Sequence, residues 1–73
     1  SVDEKIEMME RVIEPLKADD ATLLFIEHDM DIVTRFAERT VAFYEGKILS
    51  DGPTAEVLAD TEVRRYVIGG VHA

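Results

Sequence analysis

The residue best placed to do chemistry is His28. It follows the continuous apolar run Thr22-Leu23-Leu24-Phe25-Ile26, which reads as a strand buried on both faces and therefore parallel and central in a sheet. After it come Met30, Ile32, Val33, Phe36 and Ala37, whose spacing predicts a helix with Asp29 as its N-cap. A histidine between the carboxyl end of a buried strand and the start of a helix occupies the crevice where open α/β sheets bind ligands. Free amides and the positive end of the helix dipole would favour an anion there. Glu27, Asp29 and Asp31 oppose one unless a cation or other basic groups accompany it. Position alone leaves two roles open, a functional imidazole or a histidine that only hydrogen-bonds the strand end. Glu27-His28-Asp29 as half of a metal site is the weaker alternative, because adjacent strand residues point to opposite faces and His72 falls in a tail. No metal site is expected.

Other chemistry finds less support. No Ser, His and acid set is arranged for nucleophilic catalysis, and the sequence contains neither a G-x-x-x-x-G-K-S/T loop nor a G-x-G-x-x-G turn. Gly69-Gly70 reads as a helix stop and Met8-Met9 as core. Arg64 and Arg65 read as a solvated last helical turn that suits the dipole, ahead of a phosphate site. Sixteen Asp and Glu against eight Lys and Arg give a net charge of -8, the wrong sign for gripping a nucleic-acid backbone. With no cysteine, disulfides, Cys-type zinc sites and thiol nucleophiles are all excluded, and a reducing cytosolic setting fits. No apolar run approaches the roughly 20 residues needed to span a bilayer.

The elements around His28 follow from periodicity and caps. Ile6, Met9, Ile13 and Leu16, widened by Met8 and Val12, give an amphipathic helix over residues 2–17. Ser1-Val2-Asp3-Glu4 is an S-x-x-E capping box at its start, and Glu7 and Arg11 are spaced for an ion pair. Pro15 should kink or loosen the helix before Asp19-Asp20 ends it. Thr40–Tyr44 and Lys47–Ser50 flank Glu45-Gly46 as a tight hairpin. Gly52-Pro53 should break the second strand. Helices over 54–59 and 61–68 should follow, the second capped by Asp60 or Thr61. The fold class expected is α/β, in the order αβαββα(α). A chain of 73 residues buries only about 60% of its unfolded surface, so its core must be modest.

Thr22-Leu23-Leu24-Phe25-Ile26-Glu27-His28-Asp29-Met30-Asp31-Ile32-Val33 resembles the switch-histidine region, or H-loop, of ABC transporter ATPases. The likeness continues in order. Phe36-Ala37-Glu38-Arg39 resembles the stretch before the family's late strands, Tyr44-Glu45-Gly46-Lys47-Ile48-Leu49 its hairpin, and Asp51-Gly52-Pro53-Thr54-Ala55-Glu56-Val57-Leu58 the helix after it. Ile26 to Met30, together with Ala59-Asp60-Thr61-Glu62-Val63-Arg64-Arg65 and Ile68-Gly69, is most similar to the branched-chain amino acid uptake branch. Two departures stand out: Gly52-Pro53-Thr54 replaces the family's Gly-Thr-Pro or Gly-Ser-Pro, and the tail aromatic is one place early, at Tyr66.

The resemblance implies that residues 1–73 are the C-terminal portion of a P-loop NTPase-type nucleotide-binding domain, from the end of the D-loop through the H-loop to the C-terminus. The Walker A loop, Q-loop, signature motif, Walker B strand and catalytic glutamate would precede Ser1. In such a domain His28 would contact the γ-phosphate and attacking water when two domains sandwich ATP, a form of charge stabilisation in phosphoryl transfer. Ser1 would touch the partner domain. ATP and Mg²⁺ would be cofactors of the complete ATPase, with none expected for this chain alone. Its partners would be a second ATPase subunit and membrane permease subunits at the cytoplasmic face of the cell membrane. The isolated chain should self-associate, because too few elements are present to cover Thr22–Ile26. The competing expectation is a free-standing acidic α/β module that binds a protein through a helix or the hairpin edge.

Overall fold

A computed structural model describes residues 1–69. Helix α1 spans Val2–Ala18. At its start Ser1 Oγ accepts the Glu4 backbone N–H at 3.3 Å, and Arg11 donates to Glu7 at 2.8 Å one turn along. The helix runs through Pro15 and closes in a Schellman arrangement. Asp20 takes the left-handed conformation at φ 56°, and the amides of Asp20 and Ala21 return to the carbonyls of Lys17 and Leu16 at 3.1 and 2.9 Å. Although its apolar stripe is real, α1 contains no buried residue.

Thr22–Ile26 is where structure and expectation part. The segment is irregular backbone, with Leu24 84% and Ile26 96% exposed, so it is neither a strand nor core. An apolar run becomes a central strand only when neighbours satisfy its amides and carbonyls on both sides. Among the described residues the strands are β1, Arg39–Tyr44, and β2, Lys47–Pro53, which pair with each other. The order is therefore ααββα followed by a π-helical turn, a small α/β arrangement with a two-stranded antiparallel sheet.

Helix α2, Met30–Phe36, is capped by the Asp29 side chain, which accepts the Asp31 amide at 3.0 Å. It buries Ile32 and Val33 and lies between α1 and α3, Thr54–Ala59. In the hairpin, Glu45 and Gly46 both have positive φ, 48° and 77°, the pair that a two-residue turn needs to match strand twist. A bulge after Ala42 sets Phe43 opposite Ile48. Gly52 and Pro53 do not break β2 as expected; Pro53 pairs with Arg39 at the open end of the ladder, where a missing donor is tolerated. Arg39 closes that end with a bidentate contact to Asp51 at 2.8 and 2.7 Å.

The core is the seam where Ala42 of β1 meets Val57 of α3 and Val63 of the π-helical turn Val63–Ile68, joined by Leu49 and Ile68. Asp60 starts that turn by accepting the amides of Glu62 and Val63 at 2.9 and 3.1 Å. Gly69, at φ 72°, ends it, as the helix stop required; Gly70 lies outside the described residues.

The altered Gly52-Pro53-Thr54 sequence has a structural consequence. Pro53 is the N-cap of α3 and offers no side-chain cap. The buried Thr54 hydroxyl turns away from its own helix and donates to the Ala37 carbonyl at 2.6 Å. Its single proton being used there, Thr40 must be the donor in the 2.7 Å contact between the two hydroxyls. The Thr54 amide also reaches the Glu38 carbonyl at 3.1 Å. One residue thus pins α3 to the α2–β1 connection.

Candidate functional site

The site is built around the short turn between the apolar run and α2. Its organiser is Glu27, which the sequence offered as a source of unfavourable charge and as part of the weaker metal half-site, not as an anchor for the turn. One carboxylate oxygen, Oε1, accepts the His28 amide at 2.9 Å and the Asp29 amide at 3.2 Å. The same oxygen lies 3.6 Å from Lys5 Nζ on α1, and the Glu27 side chain is only 19% exposed. The bond from His28, then that from Asp29, with smaller help from the Lys5 charge, holds the Glu27 carboxyl below its ordinary value of 4.5. The sequence signal for this hub was an acid immediately before a histidine, but its tie to α1 carried no local signature.

His28 is exposed. It is flanked by two anchored carboxylates, Glu27 folded over its amide and Asp29 capping α2, and its exposure lets the imidazole meet a ligand from solvent. Such a group can donate or accept a proton or a hydrogen bond. Alone it is no nucleotide site: Glu27, Asp29 and Asp31 set a negative field around it. Among the described residues, no three His, Asp or Glu side chains are grouped to hold a metal ion; His72 lies outside them. The residues present therefore do not fit ATP with Mg²⁺ by themselves.

The other sequence candidates fall elsewhere. Ser1 is occupied as the α1 cap, and the helix start it caps faces α2 across an open groove lined by Val2, Asp3, Ile6, Asp31, Thr34 and Arg35. Arg64 and Arg65 are exposed, and Arg65 lies over the Tyr66 ring at 5.9 Å. Tyr66 stacks on Tyr44 with ring centroids 5.1 Å apart, so the early aromatic braces the hairpin. Beside it the Glu45 charge, followed by desolvation, raises the Tyr44 phenol above its ordinary value.

Over 64 residues the chain is 39% identical to the ribose import ATP-binding protein RbsA 1 of Rhizobium meliloti, covering 84% of this chain and 13% of that protein. The similarity is to ABC transporter ATP-binding subunits. The nickel import ATP-binding protein NikO of Rhodobacter capsulatus is 48% identical over 44 residues, covering 60% of this chain and 17% of the relative. The hemin import ATP-binding protein HmuV of Rhodopseudomonas palustris is 45% identical over 51 residues, covering 70% of this chain and 18% of the relative. The chain thus spans less than a fifth of each of these relatives. No protein-family model matches it, and no solved structure does. The names of these relatives specify ribose, nickel and hemin, which gives no support to the branched-chain amino acid branch.

Proposed function

We propose that the chain is the C-terminal portion of the nucleotide-binding domain of an ABC import ATPase and that His28 is its switch histidine. The observation that carries this reading is the likeness to ATP-binding subunits across the segment, joined to an exposed imidazole on a doubly anchored turn. The phosphate cradle, Mg²⁺ ligands and catalytic glutamate belong to the rest of the domain, and a second ATPase subunit and permease subunits are the partners. Ser1, at the start of α1, would contact the paired domain. No helix among the described residues is long and apolar enough to cross a membrane; a peripheral place at the cytoplasmic membrane face is part of the proposal. The resemblance of Ile26 to Met30 and of the tail points to branched-chain amino acids. Relatives named for ribose, nickel and hemin share parts of the same segment.

The test is His28→Ala in the complete ATP-binding subunit carrying this segment. Turnover should fall about 100-fold, as for loss of one preorganised donor at developing charge, while ATP affinity stays near wild type. Unchanged turnover with weakened ATP affinity would be the wrong pattern for a switch residue and would overturn that role for His28.

A further inference from the structure

We propose that Glu27, latched to α1 by Lys5, is a positioning residue for His28, so that the reach of the imidazole follows the position of α1. The two amides that Glu27 Oε1 accepts belong to the two peptide groups that bracket the His28 Cα. One of those peptide planes sets φ of His28 and the other sets ψ. Tying both to a single oxygen fixes the direction of the Cα–Cβ bond and therefore where the ring can go. Next along the chain, Asp29 ties the turn to α2 through the Asp31 amide at 3.0 Å. Glu27 itself is steered from outside the turn by Lys5 Nζ at 3.6 Å. Lys5 stands one turn into α1, and its amide bonds the Ser1 carbonyl at 3.1 Å. A displacement at the start of α1 is thereby passed through a side-chain ion pair to the backbone of His28. A partly exposed ion pair of this length contributes little stability; what this one supplies is direction. The functional half of the inference rests on the switch-histidine reading above.

The test has two arms. In the chain itself, amide hydrogen exchange by NMR should show His28 and Asp29 accelerated about tenfold in Glu27→Ala, since each loses a charge-assisted bond. Glu27→Gln, which keeps an acceptor oxygen, should stay within about threefold, and Asp31 should be unchanged in both. In the complete ATP-binding subunit, Glu27→Ala should lower kcat about tenfold with little change in the ATP KM, Glu27→Gln should restore most of it, and Lys5→Met should lower it to a smaller extent. Added to His28→Ala, Glu27→Ala should cost nothing more, because it acts only through the histidine. Multiplying losses in the double variant, or amide exchange unmoved in Glu27→Ala, would overturn the positioning role while leaving His28 as the switch. An inert Lys5→Met would overturn the link to α1. Wild-type turnover in His28→Ala would instead overturn the switch-histidine reading, and the amide-exchange arm would still judge the hold of Glu27 on the turn.

Discussion

Thr54→Val is the substitution that best isolates one structural claim. Valine keeps the β-branch and nearly the volume of threonine, so α3 propensity and packing change little, and only the hydroxyl is lost. That hydroxyl donates to the Ala37 carbonyl at 2.6 Å and accepts from Thr40 at 2.7 Å, and Thr54 is 7% exposed. Each net hydrogen bond is worth about 0.5–1.5 kcal/mol, so the loss should be about 1–3 kcal/mol. A chain of this size has a total stability on the order of 4–11 kcal/mol, so the effect is a large fraction of it. In urea, with a slope of roughly 1 kcal/mol/M for so small a domain, the midpoint should fall by about 1–3 M. Thr54→Ser, which keeps the hydroxyl, should retain most of the stability. Thr40→Val and Thr54→Val share one bond, so the double variant should lose less than the sum of the singles. Strict additivity, or a midpoint for Thr54→Val within error of wild type, would refute the claim that this hydroxyl pins α3 to the α2–β1 connection.

The Asp51 carboxyl is held below its ordinary value of 3.8, first by the Arg39 hydrogen bond and then by its charge. A carboxyl depressed on folding stabilises the fold above its unfolded value and loses that contribution as pH falls through the folded one. Thermal melts of wild type and Arg39→Met should therefore differ near neutrality and converge below about pH 4; a constant gap across that range would show that Asp51 is not the titrating partner. Val57 is 1% exposed at the centre of the core, and Val57→Ala should cost about 2 kcal/mol from its lost methyl groups and the space they leave, read from urea midpoints. Exposed Leu24 and Ile26 should drive self-association of the isolated chain. Light scattering across a dilution series should show it, with Ile26→Asp shifting the population toward monomer; a wild type that stays monomeric at high micromolar concentration would contradict this.

What was legible in the sequence was what is decided locally. The Ser1 cap, the Glu7–Arg11 pair, the Asp29 and Asp60 caps and the left-handed Gly69 stop all depend on residues within one turn of each other, and all stand in the structure. The Glu45-Gly46 hairpin was legible for the same reason, although β2 continues to Pro53 because Arg39 and Asp51 clamp its open end. At the site, residue type and position singled out His28, but they made Glu27 an obstacle. Its true partners are amides, which every residue possesses and no motif marks, and a lysine 22 positions away on α1.

The failure at Thr22–Ile26 is of another kind, and it bears on His28. The composition of the run fits burial, yet burial is a property of the neighbours, and none of the described residues pairs with it. Left open, Ile26 is 96% exposed immediately before the Glu27 whose carboxylate sets the His28 backbone. A strand laid into a sheet would fix Ile26, and with it the starting point of the Glu27 side chain, adding a third anchor to those from α1 and α2. In the complete domain proposed above, completing the sheet and aiming the histidine would be one structural event. An imidazole able to act on developing charge only when so aimed would be silent in the isolated segment, for geometric reasons as much as for lack of a bound phosphate.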